Sequence, residues 1–420
     1  MSRIGLVDCN NFFVSCERVF RPDLATKPTA VLSNNDGCIV ARSNEVKALG
    51  VPMGIPLFKV KDIVRRHGIQ LLSANFELYG DMSQRLVRIL RQVCPKIEVY
   101  SIDECFLDLT KLPIKDETVW AEELRARILH EIGIPVSIGL APTKTLAKAA
   151  AQSAKRLEVG IAVMAGEAAR RQILERLPIE DVWGIGRRLG PKLRDKGVVN
   201  AWQLTEASDT WLAHQFNITG LKMIDELRAK ARIDFGDKRS HRQTIMRSRA
   251  FSHTVRDYHQ LESAVASFTA SAAQRLRGQS SVCAGVMTGL VSPRENNRFN
   301  RSTSLISLTE PTADTGRLIT AALAGLKAGY EENAAYKKAS VTLIGITGQD
   351  DWQLSLTDPD HLRQRRQRLM AEVDRLNRRF GGGTIGYAAE DQLASTWQSR
   401  REHRSPRYTT RWSDLPQLKA

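Results

Sequence analysis

Two rhythms of apolar and polar positions run through this chain. Ile4-Gly5-Leu6-Val7 is a short apolar run of strand length that stops at Asp8, and a helix is expected from about Asn11 to Val19. A turn-rich stretch follows over residues 20–75, centred on Ser33-Asn34-Asn35-Asp36-Gly37-Cys38. Next come a helix from about Asn75 to Val93, two strands meeting near residue 103 and a helix around Glu117–Glu131. A strand at Val136–Leu140 and a basic helix over Thr143–Arg156 complete the set. With residues 20–75 set aside as a compact insertion, the order is βαββαβ, which predicts a ferredoxin-like domain. Past the polar link Asp237–Arg242 the same order returns. Its elements are strand Thr244–Val255, helix Leu261–Leu276, strands Ser281–Val291 and Ser302–Leu308, helix Thr315–Leu326 and strand Ala339–Ile346. Element order alone supports this second domain, since no sequence repeat accompanies it. Helix-like Leu362–Phe380 then breaks at Gly381-Gly382-Gly383. The fold class is α+β, in several domains.

One stretch breaks its local rule. Ile97, Val99 and Ile102 precede Asp103-Glu104, and Cys105, Phe106, Leu107 and Leu109 follow it. The two acids therefore sit where two apolar strands meet. A two-residue hairpin turn favours Asn-Gly or Asp-Gly, because positive φ is needed there, and Glu does not supply it. Adjacent carboxylates also raise each other's pKa unless a cation lies between them. Such a conflict inside an apolar segment points to function, and a hard divalent cation suits it. Mg²⁺ takes carboxylate oxygens and keeps positions open for phosphate. A solvated turn carrying two ordinary acids is the plainer alternative. Asp8 adds a third carboxylate at the end of a buried strand, where α/β sheets present catalytic groups. A helix N-cap is the commoner use of such an Asp. Asp8, Asp103 and Glu104 together would suffice to hold two metal ions ~3.5–4 Å apart.

Composition narrows the partners. A formal charge of +16 and a pI near 9.8 point to a polyanion. The 420 residues leave room for two to four domains. Six cysteines without a C-x-x-C pair indicate neither a disulfide framework nor a zinc cluster, so a reducing cytoplasm is expected. No apolar run approaches the ~20 residues of a membrane span. Asp8 also interrupts what would have to be the apolar core of a signal peptide.

The stretches around Asp8 and Asp103-Glu104 resemble the two palm motifs of the Y-family DNA polymerases. The run Phe20–Phe58, F-R-P-D-L-A-T-K-P-T-A-V-L-S-N-N-D-G-C-I-V-A-R-S-N-E-V-K-A-L-G-V-P-M-G-I-P-L-F, resembles the UmuC-type branch of that family, as does S-P-R-Y-T-T-R-W-S-D-L at Ser405–Leu415. The resemblance covers nearly the whole chain. It implies a right-hand polymerase with a ferredoxin-like palm (1–19 and 76–169), small fingers (20–75) and a helical thumb (170–236). An α+β little finger (243–347) and a basic, partner-binding C-terminal tail (348–420) follow. The implied activity is error-prone, template-directed translesion synthesis in the SOS DNA-damage response, without proofreading. Two Mg²⁺ ions would be held by Asp8, Asp103, Glu104 and the Cys9 backbone carbonyl. Phe13 matches the steric gate that excludes a sugar 2′-hydroxyl, with Phe12 beside it. Lys155 matches the lysine that meets the incoming triphosphate, and Arg42, Asn44 and Lys47 complete that dNTP site. Asn44 stands where relatives often have a tyrosine, and Lys47 lacks the bidentate fork of the arginine many of them carry.

The thumb would contain a helix-hairpin-helix at Trp183-Gly184-Ile185-Gly186-Arg187-Arg188, where glycine lets backbone N–H groups approach a DNA phosphate. Arg187, Arg188 and Lys192 flank it. Arg247 and Arg249 alternate along the first little-finger strand and share one face. No RNP1-like aromatic run suggests an RNA-binding module there. Residues 361–420 hold thirteen Lys/Arg against six Asp/Glu. Gln353-Leu354-Ser355-Leu356 resembles a sliding-clamp motif, although Thr357 stands where an aromatic usually follows. The resemblance implies primer–template DNA, dNTP, a processed UmuD-like dimer, a RecA filament and the sliding clamp as partners, and no membrane. A DinB-type Y-family polymerase acting alone, a nucleotide cyclase with a similar palm and a non-catalytic DNA-binding scaffold are the alternatives.

Overall fold

The computed structural model describes residues 2–236, 241–293, 299–349, 351, 360–390, 397 and 400–415. The chain divides into two compact units, residues 1–238 with 402–420, and residues 239–401.

In the first unit a five-stranded sheet runs in the order Ile97–Val99, Glu104–Asp108, Ile4–Cys9, Val136–Ala141 and Ile161–Val163. Its first four strands have the ferredoxin-like arrangement, and the fifth extends it in parallel. Because side chains alternate across a strand, each strand serves two cores. Val7, Cys9, Cys105 and Leu107 pack with helices Phe76–Val93 and Glu117–Ile132. Ile4, Leu6 and Phe106 turn the other way, against helix Lys144–Arg156 and the thumb helices of residues 167–227. That helix lies unusually close to the sheet. A Cβ on Gly139 would stand 2.2 Å from the Ala147 carbonyl oxygen, and Ala147, Ala150 and Ala151 present only small side chains there. The insertion at 20–75 has its own three-stranded sheet, ordered Ile39–Arg42, Thr29–Leu32 and Gln70–Ser73. Its small core includes Ala30, Leu32, Ile39, Val46 and Val51.

The second unit has the expected βαββαβ order but a different sheet. Its strands run Phe299–Thr312, Ser281–Pro293, Tyr336–Gly348 and Ile245–Val255, all neighbours antiparallel. Helices Tyr258–Arg277 and Thr315–Gly329 cover one face, meeting Ile245, Val286, Leu290, Val341 and Leu343. Helix Asp360–Phe380 joins them through the Arg277–Asp374 ion pair at 2.8 Å. No helix among the described residues is long and apolar enough to cross a membrane.

Candidate active site

The same alternation builds the site. Asp8 lies two residues beyond Leu6, so it faces helix Lys144–Arg156 rather than the core of Phe12 and Tyr79. Antiparallel pairing sets it directly opposite Glu104. The pair Asp103-Glu104 does not form the turn itself. Glu104 begins the strand Glu104–Asp108, while Asp103 closes the connection before it, its carbonyl accepting from the Cys9 N–H at 2.9 Å. The Ser101 hydroxyl donates to the Asp103 carboxylate. An acid at the first paired position takes an ordinary strand conformation, which removes the turn-propensity conflict.

Two lysines one and three turns along the basic helix reach these acids. Lys155 pairs with Asp8, and Lys148 donates to Glu104 at 2.7 Å. Lys148 also lies 4.6 Å from the Tyr100 ring centroid, which fixes its stem over the acidic turn. Asp8 is only 8 % exposed, and burial pushes its carboxyl up to about 7; Lys155 pulls it down while Glu104 pushes it further up. Among the described residues no three His, Cys, Asp or Glu side chains are gathered into a ready-made metal cage. The donor set nevertheless fits hard divalent cations. It is all oxygen, and its buried carboxylate is costly to ionise unless positive charge sits beside it.

The residues expected at the triphosphate lie around the same point. Burial lowers the Lys47 ammonium pKa, and the charges of Lys155 and Arg42 lower it further, which places three cations in one electrostatic neighbourhood with Asp8. The Arg42 guanidinium donates to the Val51 carbonyl, and its buried Nε has no partner. Asn44 is not spare. Its side-chain oxygen accepts from Asn11 Nδ2 at 2.9 Å and from Lys47 at 3.3 Å. Asn11 takes left-handed backbone (φ 48°) and leaves the start of helix Phe12–Phe20 without a side-chain cap. The first N–H groups of that helix therefore lack intrahelical acceptors. Phe12 is 4 % exposed and belongs to the core, so only its main chain can serve a nucleotide. Phe13 is half-buried, stacked flat on Tyr79 at 4.5 Å between centroids.

Elsewhere the expected residues are spread out. Gly184 has φ +87°, and neither it nor Gly186 has an atom within 4 Å of a would-be Cβ. Arg187, Arg188 and Lys192 are exposed beside them. Arg247 and Arg249 do share a face, but it is the one whose neighbours Ile245, Ala339 and Val341 form the core. Burial and neighbouring Arg275 depress the Arg247 guanidinium. The opposite sheet face carries Lys338 and Arg301, both exposed, alongside small Gly289, Ser340 and Thr303. Sequence reasoning missed these two cations because it began their strands at Ser302 and Ala339, one residue past each. It also missed Lys148 as a site residue, and Tyr79. Lys144, on the same helix, is a structural rivet: it is 3 % exposed and bonds Glu98 and the Asp234 carbonyl, each at 2.6 Å. Gln353-Leu354-Ser355-Leu356 lies outside the described residues.

Comparison with known proteins agrees along the whole length. Models described as the impB/mucB/samB family and its C-terminal domain match residues 7–152 and 242–356. An IMS family HHH motif matches 167–198, and a domain of unknown function, DUF4113, matches 367–418. Protein UmuC of Salmonella typhimurium is 39 % identical over 422 residues, spanning 99 % of this chain and 100 % of that protein. Protein MucB of Escherichia coli is 34 % identical, spanning 98 % of each. DNA polymerase IV 1 of Bacillus subtilis is 28 % identical over 82 % of this chain and 81 % of that protein. Among solved structures, a Y-family DNA polymerase chimera Dbh-Dpo4-Dbh superposes with a TM-score of 0.66 at 21 % identity, over 82 % of this chain and 99 % of that one. An insertion ternary complex of Dbh DNA polymerase gives 0.55 over the same shares. The chain belongs to the impB/mucB/samB family, in the UmuC-type branch of the Y-family DNA polymerases.

Proposed function

We propose the following roles within an error-prone, template-directed DNA polymerase acting in translesion synthesis. Asp8, Asp103, Glu104 and the Cys9 carbonyl would hold two Mg²⁺ ions. Bound there, the ions lower the pKa of the primer 3′-hydroxyl and neutralise charge on the dNTP phosphates. The chain's own residues do the rest. Lys148 and Lys155 balance the charge of Glu104 and Asp8, and Lys155 is the cation that would meet the triphosphate. Lys47 and Arg42 flank the same phosphates, and the uncapped N-terminus of helix Phe12–Phe20 offers its N–H groups to them. The Phe13 ring closes the space beside the sugar C2′. Gly184, Gly186, Arg187, Arg188 and Lys192 take backbone phosphates of the primer–template through the thumb. Arg301 and Lys338, on the open face of the little-finger sheet, are its main phosphate contacts, and Arg249, exposed on the edge strand beside half-buried Arg247, adds to them.

The observation that carries this reading is Asp8 set opposite Glu104 beneath two lysines of one helix. Kinship with the UmuC branch supports a processed UmuD-like dimer, a RecA filament and the sliding clamp as partners, the last through Gln353–Leu356. Single-nucleotide incorporation on a defined primer–template tests the reading. Product should follow the templating base and require a divalent cation. Consumption of dNTP to a cyclic monophosphate without template would overturn it in favour of a cyclase.

A further inference from the structure

The final stretch of the chain is built into the polymerase unit rather than hanging from it. Ser73, at the end of an edge strand of the fingers sheet, donates its N–H to the His403 carbonyl at 2.9 Å and accepts from the His403 N–H at 3.0 Å. Asn75, whose side-chain oxygen caps helix Phe76–Val93, uses its amide nitrogen on the Ser405 carbonyl, the Ser405 hydroxyl and the Pro406 carbonyl. Arg404 pairs with Glu77, and Tyr408, 7 % exposed, stacks on Phe20 at 4.8 Å. Residues 402–408 thus run from the fingers to the back of the first palm helix.

We propose that this segment is a strap that fixes the sugar-selecting ring, with Ser405 as its positioning residue; the proposal rests on the reading of Phe13 as the steric gate. Glu17 is fully buried on the helix that carries Phe13. One of its oxygens, Oε1, accepts two hydroxyls, from Tyr79 at 2.8 Å and from Ser405 at 3.0 Å. Tyr79 in turn is the flat surface on which Phe13 lies, 12° from parallel. A continuous path therefore runs Ser405–Glu17–Tyr79–Phe13. Ser405 fixes where the buried carboxylate points, the carboxylate fixes the Tyr79 hydroxyl, and the Tyr79 ring fixes the gate. Glu17 Oε2 has no partner, so losing Ser405 leaves a buried carboxyl with one donor and freedom to turn. An excluding surface works by position, so a ring whose support is loosened rejects the hydroxyl less well than one held firmly.

The test is the ratio of ribonucleotide to deoxyribonucleotide incorporation by the full-length chain on a defined primer–template, with melting temperature measured alongside. Phe13→Ala should raise the ratio most. Ser405→Ala and Tyr79→Phe should each raise it several-fold, and the double variant should rise no further than the larger single, because both act through Glu17. If Phe13→Ala raises the ratio and Ser405→Ala leaves it unchanged, even with a lowered melting temperature, the strap is only a brace and the proposal fails. If Phe13→Ala itself leaves the ratio unchanged, the gate reading fails first and carries the proposal with it.

Discussion

At the scale of single residues the site is a problem in charge placement. Asp8 holds its proton up to about 7 instead of 3.8 because it is buried beside Glu104. The folded, metal-free chain therefore binds a proton in that window that the unfolded chain has released. The sign follows: raising the pH from about 3.8 to about 7 removes stability from the metal-free protein. A divalent cation held by Asp8 would have to replace that proton, and would therefore bind weakly while Asp8 is protonated and tightly once it ionises. The rise in melting temperature caused by Mg²⁺ should be small one pH unit below the Asp8 value and larger one unit above it. An equal shift at both would remove Asp8 from the metal site. The acidic residues were legible because they interrupt apolar runs. Their counter-ions were not. Lys144, Lys148 and Lys155 look alike in sequence, and only the packing of their helix shows that one rivets the thumb and two face the acids.

At the scale of elements, the close seat of helix Lys144–Arg156 brings those lysines within reach. Gly139→Ala should force the helix off the sheet, since the new Cβ would overlap the Ala147 carbonyl. Overpacking costs about 1–3 kcal/mol and occasionally more, and a backbone obstacle that cannot rotate away puts this site at the upper end. The expected outcome is a large fall in denaturant midpoint, and Ala151→Gly should not restore it, because the clash is with main chain. Element order in both ferredoxin-like and little-finger sheets was readable from apolar periodicity, including helix Asp360–Phe380 to within two residues. Strand order was readable for the first set, which forms the ferredoxin-like sheet expected of it, and not for the second. The two βαββαβ sets build different sheets, and nothing local records which strands become neighbours. That is why Arg247 and Arg249 could be given a shared face, but not that face's cross-strand neighbours, Val341 and Ala339.

At the scale of the whole molecule, the proposed roles separate affinity from chemistry: exposed cations such as Arg187, Arg301 and Lys338 would supply phosphate contacts, while Asp8, Asp103 and Glu104 would supply the reaction. Replacing Gln353 and Leu354 with Ala should lower clamp-stimulated synthesis and leave unstimulated synthesis intact; equal loss in both assays would give these residues a structural role. The resemblance of Ser405–Leu415 to relatives marked the tail as meaningful, and its contacts with Ser73, Asn75 and Glu17 of the same chain are long-range pairings that no periodicity encodes. The most direct measurement of the central claim is primer extension by Asp103→Ala and Glu104→Ala beside their primer–template affinity at fixed salt. Extension should vanish in both variants while binding stays within a few-fold of the parent. Extension near the parent rate in Mg²⁺ by either variant would contradict the assignment of these carboxylates to the metals.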